Sequence, residues 1–143
     1  MSYKGLESTK EWFEQAIPSP TLEIACVQIG CHLEEVSEML EALELFASAG
    51  RIGELAVLFK QKDTRMLNLI RNVDLIELTD SLIDQQVTAT GVMHNLNIDA
   101  LGALAEVNRS NFSKFEDGKA VFDKNGKIKK GKHYTSPDLS PYV

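Results

Sequence analysis

Hydrophobic positions along the chain fall into helical periods that proline and glycine interrupt. Ser8 followed by Glu11 has the spacing of a capping box and opens a short helix through Trp12, Phe13 and Ile17. Pro18-Ser19-Pro20 ends it. Pro20 suits the first position of a second helix, which the pattern carries to about Ala49 with Gly50 as its stop. Residues 51–71 are helical in composition but less periodic, which predicts one short helix and a connection. Asp74 with Glu77 repeats the capping spacing and opens a helix to about Asn95, and Asp99 starts a last long segment, Leu101 to Phe115. No alternating β-branched run precedes residue 118. The predicted fold is therefore all-α, a four- to five-helix bundle over residues 1–117.

Residues 118–143 follow another pattern. Ala120-Val121-Phe122 and Lys127-Ile128 flank Asp123-Lys124-Asn125-Gly126, as two short strands flank an Asn-Gly turn. Pro137 and Pro141 then predict an extended arm lying on the same domain or on a neighbouring subunit.

Two of the helices carry acids where apolar residues are expected. Projected at about 100° per residue, the second helix places Glu34, Ser37, Glu41 and Glu44 on one arc, read as the water face. The opposite arc holds Val36, Met39, Leu40, Ala42, Leu43 and Phe46, with Glu35 inside it and Glu38 at its edge. The helix from Asp74 is apolar on two flanks: Leu75, Leu78, Leu82, Ala89, Val92 and Met93 on one, Ile76, Ile83 and Val87 on the other. Between them runs a stripe of Glu77, Asp80, Asp84, Thr88 and Gly91. A helix apolar on both flanks is expected to be buried, and buried carboxylates need a counter-charge. Convergent carboxylates are most simply reconciled by divalent cations, and oxygen-only ligands favour Mg²⁺, with Mn²⁺ as the alternative, over zinc. No His follows a Glu at the spacing of di-iron bundles. A hard ion held by few protein ligands keeps waters and meets phosphate oxygens, which points to phosphoryl or pyrophosphoryl chemistry.

Composition narrows this further. The 143 residues, 43% apolar and 25% charged, fit one domain. The net charge of −6 is uneven. Residues 1–108 hold 7 Lys and Arg against 17 Asp and Glu, whereas residues 109–143 hold 8 against 4. An acidic body argues against duplex DNA, and suits a cation on the body with an anion under the basic tail. Apolar runs far below about 20 residues argue against a membrane span. Cys26 and Cys31 lie on different helical faces, which speaks against a disulfide, and with no secretory leader in view the expected location is cytoplasmic.

Glu34-Glu35-x-x-Glu38 with Glu77-x-x-Asp80 resembles the EExxE…ExxD signature of the MazG-like all-α nucleoside triphosphate pyrophosphohydrolases. The stretch Gly91 to Lys114, with Asn97-Ile98-Asp99, Ala105-Glu106-Val107 and Asn108-Arg109-Ser110-Asn111-Phe112-Ser113-Lys114, is similar to the GID…EVHRSNMSK segment of the branch that includes dimeric deoxyuridine triphosphatase-like members. Asn125-Gly126-Lys127-Ile128-Lys129-Lys130-Gly131, Tyr134 and Pro137-Asp138 match that branch's tail. The resemblance covers roughly residues 10–140 and departs at Asn108, where the branch often has His.

The resemblance implies hydrolysis of a nucleoside triphosphate between the α and β phosphates, to monophosphate and pyrophosphate. Deoxyuridine triphosphate and the deoxypurine triphosphates dGTP and dATP are the candidate substrates. It implies that Glu35, Glu38, Glu77 and Asp80 hold Mg²⁺, and that Glu34 and Glu35 form the catalytic pair, Glu34 positioning or deprotonating the attacking water. Asn111 and Lys114, at i,i+3, are candidates for ribose or phosphate contact. Lys127, Lys130 and Tyr134 are candidates for closing the tail over the triphosphate. Asp84 stands as an outer ligand or hydrogen-bond partner, and the sole tryptophan, Trp12, as a base-stacking ring or a core residue. Few helices with wide apolar arcs predict a homodimer or homotetramer. The rival class is a non-catalytic helical interaction module whose acids pair with a partner's lysines.

Overall fold

A computed structural model describes residues 5–143. Six helices follow one another: α1 (Gly5–Ala16), α2 (Leu22–Ala42), α3 (Phe46–Lys60), α4 (Thr64–Arg71), α5 (Leu75–Asn95) and α6 (Ala100–Phe112). A two-stranded ribbon, β1 (Val121–Phe122) and β2 (Ile128–Lys129), and a 3₁₀ turn at Ser140–Tyr142 complete the chain. The all-α reading holds, with six helices in place of the four to five expected, because the second predicted helix breaks after Ala42 and residues 46–71 form two helices. Among the described residues no helix is long and apolar enough to cross a membrane.

The N-terminal caps formed where the sequence placed them for α5 and α6. Asp74 accepts from the backbone N–H groups of Ile76 and Glu77, and Asp99 from that of Gly102. Ser8 does not cap α1, which already begins at Gly5, and Thr9 donates to the Gly5 carbonyl one turn back. The second helix starts after Thr21, whose side chain accepts from Ile24, two residues later than Pro20 would start it.

That helix also stops early, at Ala42 rather than Ala49. Glu44 takes φ 61°, Glu44 N–H donates to Glu41 and Leu45 N–H donates to Leu40, a Schellman ending with glutamate in the left-handed position. Lys62 (φ 57°) ends α3 and Asn97 (φ 60°) ends α5 by the same pattern of bonds. A side chain there costs roughly 1–2 kcal/mol relative to glycine, so a boundary search keyed on glycine passes over all three. Gly50 instead lies inside α3.

The chain divides into two compact units. The first contains described residues 5–18, 74–121 and 129–143; the second contains 19–73 and 122–128.

In the second unit α2 and α3 run antiparallel, closed by small residues. The Cys26 thiol donates to the Phe59 carbonyl at 3.3 Å and the Ser37 hydroxyl to the Ala49 carbonyl at 2.8 Å. Between these points a Cβ on Gly30 would stand 2.7 Å from the Ala56 carbonyl oxygen and 2.8 Å from the Lys60 nitrogen. Only glycine permits that approach. Cys26, Phe59 and Met66 form the buried cluster, with Ile29, Leu33, Leu58, Leu67 and Ile70 against it.

In the first unit α1 packs on α6 through Trp12, whose indole N–H donates to the Asn111 carbonyl at 2.9 Å. Its ring stacks on Phe115 at 5.8 Å and meets the Phe13 ring edge-on at 4.9 Å. The C-terminal arm is tied to α6. Arg109 donates to Thr135 and to the Ser136 carbonyl, and Ser110 donates to the Thr135 carbonyl.

Candidate functional site

The arc of α2 expected in water is only partly so. Glu41 and Glu44 are exposed, but its middle, at Glu34 and Ser37, is packed, while Val36 and Leu40 of the opposite arc are half-buried. Ser37 is buried on α3 and Glu34 is half-buried. Met39, Leu43 and Phe46, expected in the core, are exposed. The physical reason is the small-residue seam: Cys26, Gly30 and Ser37 let two backbones approach closely, whereas the larger side chains on the opposite arc would hold them apart. Glu35 and Glu38 therefore lie exposed beside exposed apolar residues.

Glu34 sits at the end of that seam between two lysines. Lys60 Nζ is 2.8 Å from its Oε1 and Lys127 Nζ is 2.6 Å from its Oε2. Lys127 comes from the Asn-Gly hairpin, which is set by Asp123. That carboxylate accepts from the N–H groups of Asn125 and Lys127, and Asp123 N–H donates to the Lys127 carbonyl. Gly126 supplies the positive φ of 85° that the turn requires. Burial pushes the Glu34 carboxyl up, but hydrogen bonds from Lys127 and Lys60 outweigh it, so the group is held below the ordinary carboxylate range. Burial likewise pushes Lys127 down, and the Glu34 hydrogen bond and charge more than restore it. The Cys31 thiol, in the same field, is raised chiefly by burial.

Glu77, Asp80 and Asp84 lie exposed on α5 in the first unit. That helix has no buried residue: Ile76 is 82% exposed and Val87 64%. Leu75, Ile76, Thr79, Asp80 and Ile83 line an open hollow on its surface. The expected burial of α5 is thus not met within one chain. Ile76, Ile83 and Val87 of one flank and Leu75, Leu82 and Val92 of the other are exposed, whereas Leu78 and Met93 are half-buried.

The remaining candidates lie in or beside the packed end of the first unit. Asn111 is half-buried, its carbonyl taken by Trp12. Lys114 lies beyond the α6 terminus with its Nζ 5.8 Å over the Trp12 ring. Trp12 itself is only 6% exposed and serves as a core residue, which withdraws its ring from base stacking. Lys130 stands 4.8 Å over the Tyr134 ring. Asn108, at the position where the resembling branch often has His, is 4% exposed. It bonds Thr9 and the Gly5 carbonyl, tying α6 to α1.

The carboxylate set at Glu35, Glu38, Glu77 and Asp80 is all oxygen, which in chemistry fits a hard divalent cation. Among the described residues no group of three or more His, Cys, Asp or Glu gathers as a metal site. Sequence reasoning missed Lys60. Its signal is positional: it falls where the antiparallel seam brings the last turn of α3 level with Glu34, which requires knowing that α2 ends at Ala42. Compared with protein-family models, with curated proteins and with solved structures, the chain matches none.

Proposed function

We infer that the chain is a MazG-like, Mg²⁺-dependent nucleoside triphosphate pyrophosphohydrolase acting in the cytoplasm as a homodimer or homotetramer. The observation that carries this reading is the pairing of i,i+3 carboxylates with uncovered apolar surface on two long helices. Glu35 and Glu38 neighbour Met39 and Leu43 on α2, and Glu77 and Asp80 neighbour Leu75, Ile76 and Ile83 on α5. Apolar faces of that extent are covered in solution, and covering them with further copies of the chain would desolvate the acids, which then require cations. Mg²⁺ held by Glu35, Glu38, Glu77 and Asp80 would supply charge neutralisation of the phosphates and acidify a water. Water cleaves the α–β anhydride, releasing monophosphate and pyrophosphate, and Glu34 is the acceptor for its proton. Lys127, Lys130 and Tyr134, on or after the hairpin, contact the triphosphate, with Asn111 and Lys114 as ribose or phosphate contacts and Asp84 as an outer partner. Deoxynucleotides, dUTP or dGTP and dATP, are the substrates proposed.

The test is to incubate the purified protein with each common ribo- and deoxynucleoside triphosphate, with Mg²⁺ and with chelator, and to separate the products. Monophosphate plus pyrophosphate, formed only with metal, is the expected result. A diphosphate and inorganic phosphate would mean that another bond is cut. The exposed apolar faces also favour a second reading, a non-catalytic helical interaction module, which predicts no turnover of any nucleotide and no metal requirement.

A further inference from the structure

Two ammonium groups from distant parts of the chain converge on one carboxylate, one on each oxygen. A phosphate presents the same arrangement of anionic oxygens to two lysines. We propose that Lys60 and Lys127 form a clamp for the pyrophosphoryl part of the substrate, and that in the empty protein Glu34 occupies it as an internal anion. This rests on the proposed hydrolase reading and adds to it a residue, Lys60, and an exchange.

All three groups belong to the second unit, so the clamp is complete within one compact body. Lys60 starts from the last turn of α3 packed against Gly30, and Lys127 from the Asp123-capped hairpin, so both stems leave fixed backbone positions. Their side chains are 20% and 38% exposed, and that of Glu34 30%, which leaves the cluster open to an anion from solution. Within the ion pairs two positive charges face one negative, so an incoming anion gains its place by displacing Glu34 rather than by adding to it. Asp123 and Glu35 also act on this field, and both oppose anion entry. When polyphosphate oxygens take the lysines, the Glu34 carboxylate is released from both ion pairs. It is then free for the water that the hydrolase reading assigns to it, so that substrate arrival itself uncovers the acceptor.

The probe is inorganic pyrophosphate without metal, titrated calorimetrically into the full chain. Lys60→Met and Lys127→Met should each weaken its binding about tenfold, as expected for one charge-assisted hydrogen bond. Glu34→Gln should tighten it by about tenfold, because the internal competitor is gone. A merely structural ion pair, or Glu34 acting only as a base, predicts no tightening, and equal affinity in Glu34→Gln and the unaltered chain would overturn the proposal. Should a variant not fold, acylation of the unaltered chain decides the point. Pyrophosphate should change the labelling of Lys60 and Lys127 while leaving Lys10 and Lys62 unchanged, and no change at the first two overturns it. Pyrophosphate exchange with no nucleotide turnover would sink the hydrolase and keep the clamp. Turnover without tightening in Glu34→Gln would do the reverse.

Discussion

Helices α2 and α5 are both 21 residues long, both mix acids with large apolar residues, and meet opposite treatment in the fold. One face of α2 is closed against α3, and what closes it is its smallest side chains, Cys26, Gly30 and Ser37. Helix α5 has no fully buried residue, although its leucines and isoleucines outnumber those of the α2 seam. Apolar size therefore does not mark the intramolecular core here. Close approach does, and Met39 and Leu43 of α2, with most of the large residues of α5, are left as a surface for something else. The acids follow the same division. Glu34, on the packed face, is neutralised within the chain by two lysines, whereas Glu35, Glu38, Glu77 and Asp80 stand on the open faces.

The largest effect expected from this contrast concerns activity. Glu35→Ala and Asp80→Ala should each lower nucleotide turnover on the order of a hundredfold or more, while circular dichroism and the metal-free melting temperature stay unchanged or rise, because like charges are removed. Loss of folding instead of activity would mean that the open-face acids are structural. Next comes the apolar surface of α5. Sedimentation should show a particle heavier than the 15.9 kDa chain. Ile83→Asp should raise its subunit dissociation constant about tenfold or more, since a charge is then forced under the covered face. A monomer in both cases would end the assembly argument.

A glycine in each helix sharpens the comparison. A Cβ at Gly30 would press on the backbone of Ala56 and Lys60, so Gly30→Ala should cost about 1–3 kcal/mol in urea unfolding. A Cβ at Gly91 meets open space, so Gly91→Ala should stabilise by about 0.5–1 kcal/mol through helix propensity alone. The same substitution thus takes opposite signs in the two helices. A loss at Gly91 would show that α5 is closely covered there in the assembled protein.

Much of the chain's organisation was legible as pattern. The caps at Asp74 and Asp99, the span of α5, the Asn-Gly hairpin and the all-α body follow from local chemistry, because each depends on residues within a few positions of one another. The break at Glu44 and the orientation of α2 were not legible. The break places a glutamate where glycine is expected, and the orientation depends on a seam whose closest-approach positions on α2, Cys26, Gly30 and Ser37, are small rather than strongly apolar. The acidic motif was readable as a spacing, but the pairing of Glu34 with Lys60 and Lys127 crosses 26 and 93 positions and needs the fold.

The smallest effect separates bareness from looseness in the unit that carries α5. Its C-terminal arm is tied to α6 by Glu106, which accepts from Arg109 at 2.7 and 2.8 Å and from the Asp138 N–H at 3.0 Å. Arg109 in turn holds Thr135 and Ser136. The Arg109 hydrogen bonds first, and the Asp138 N–H second, lower the Glu106 pKa to about 2. An unfolded glutamate titrates near about 4.3, so the folded form binds its proton less readily. The contribution is full above that value and is lost as pH falls through about 2. Protection of the amides of residues 135–142, taken relative to intrinsic exchange at each pH, should therefore persist at pH 4, where a free glutamate is mostly protonated, and fall only toward pH 2. Glu106→Gln should remove it at every pH. If the arm already loosens at pH 4 in the unaltered chain, the tie is too weak to hold it, and the exposed α5 belongs to a unit that is open throughout rather than firm with one uncovered face.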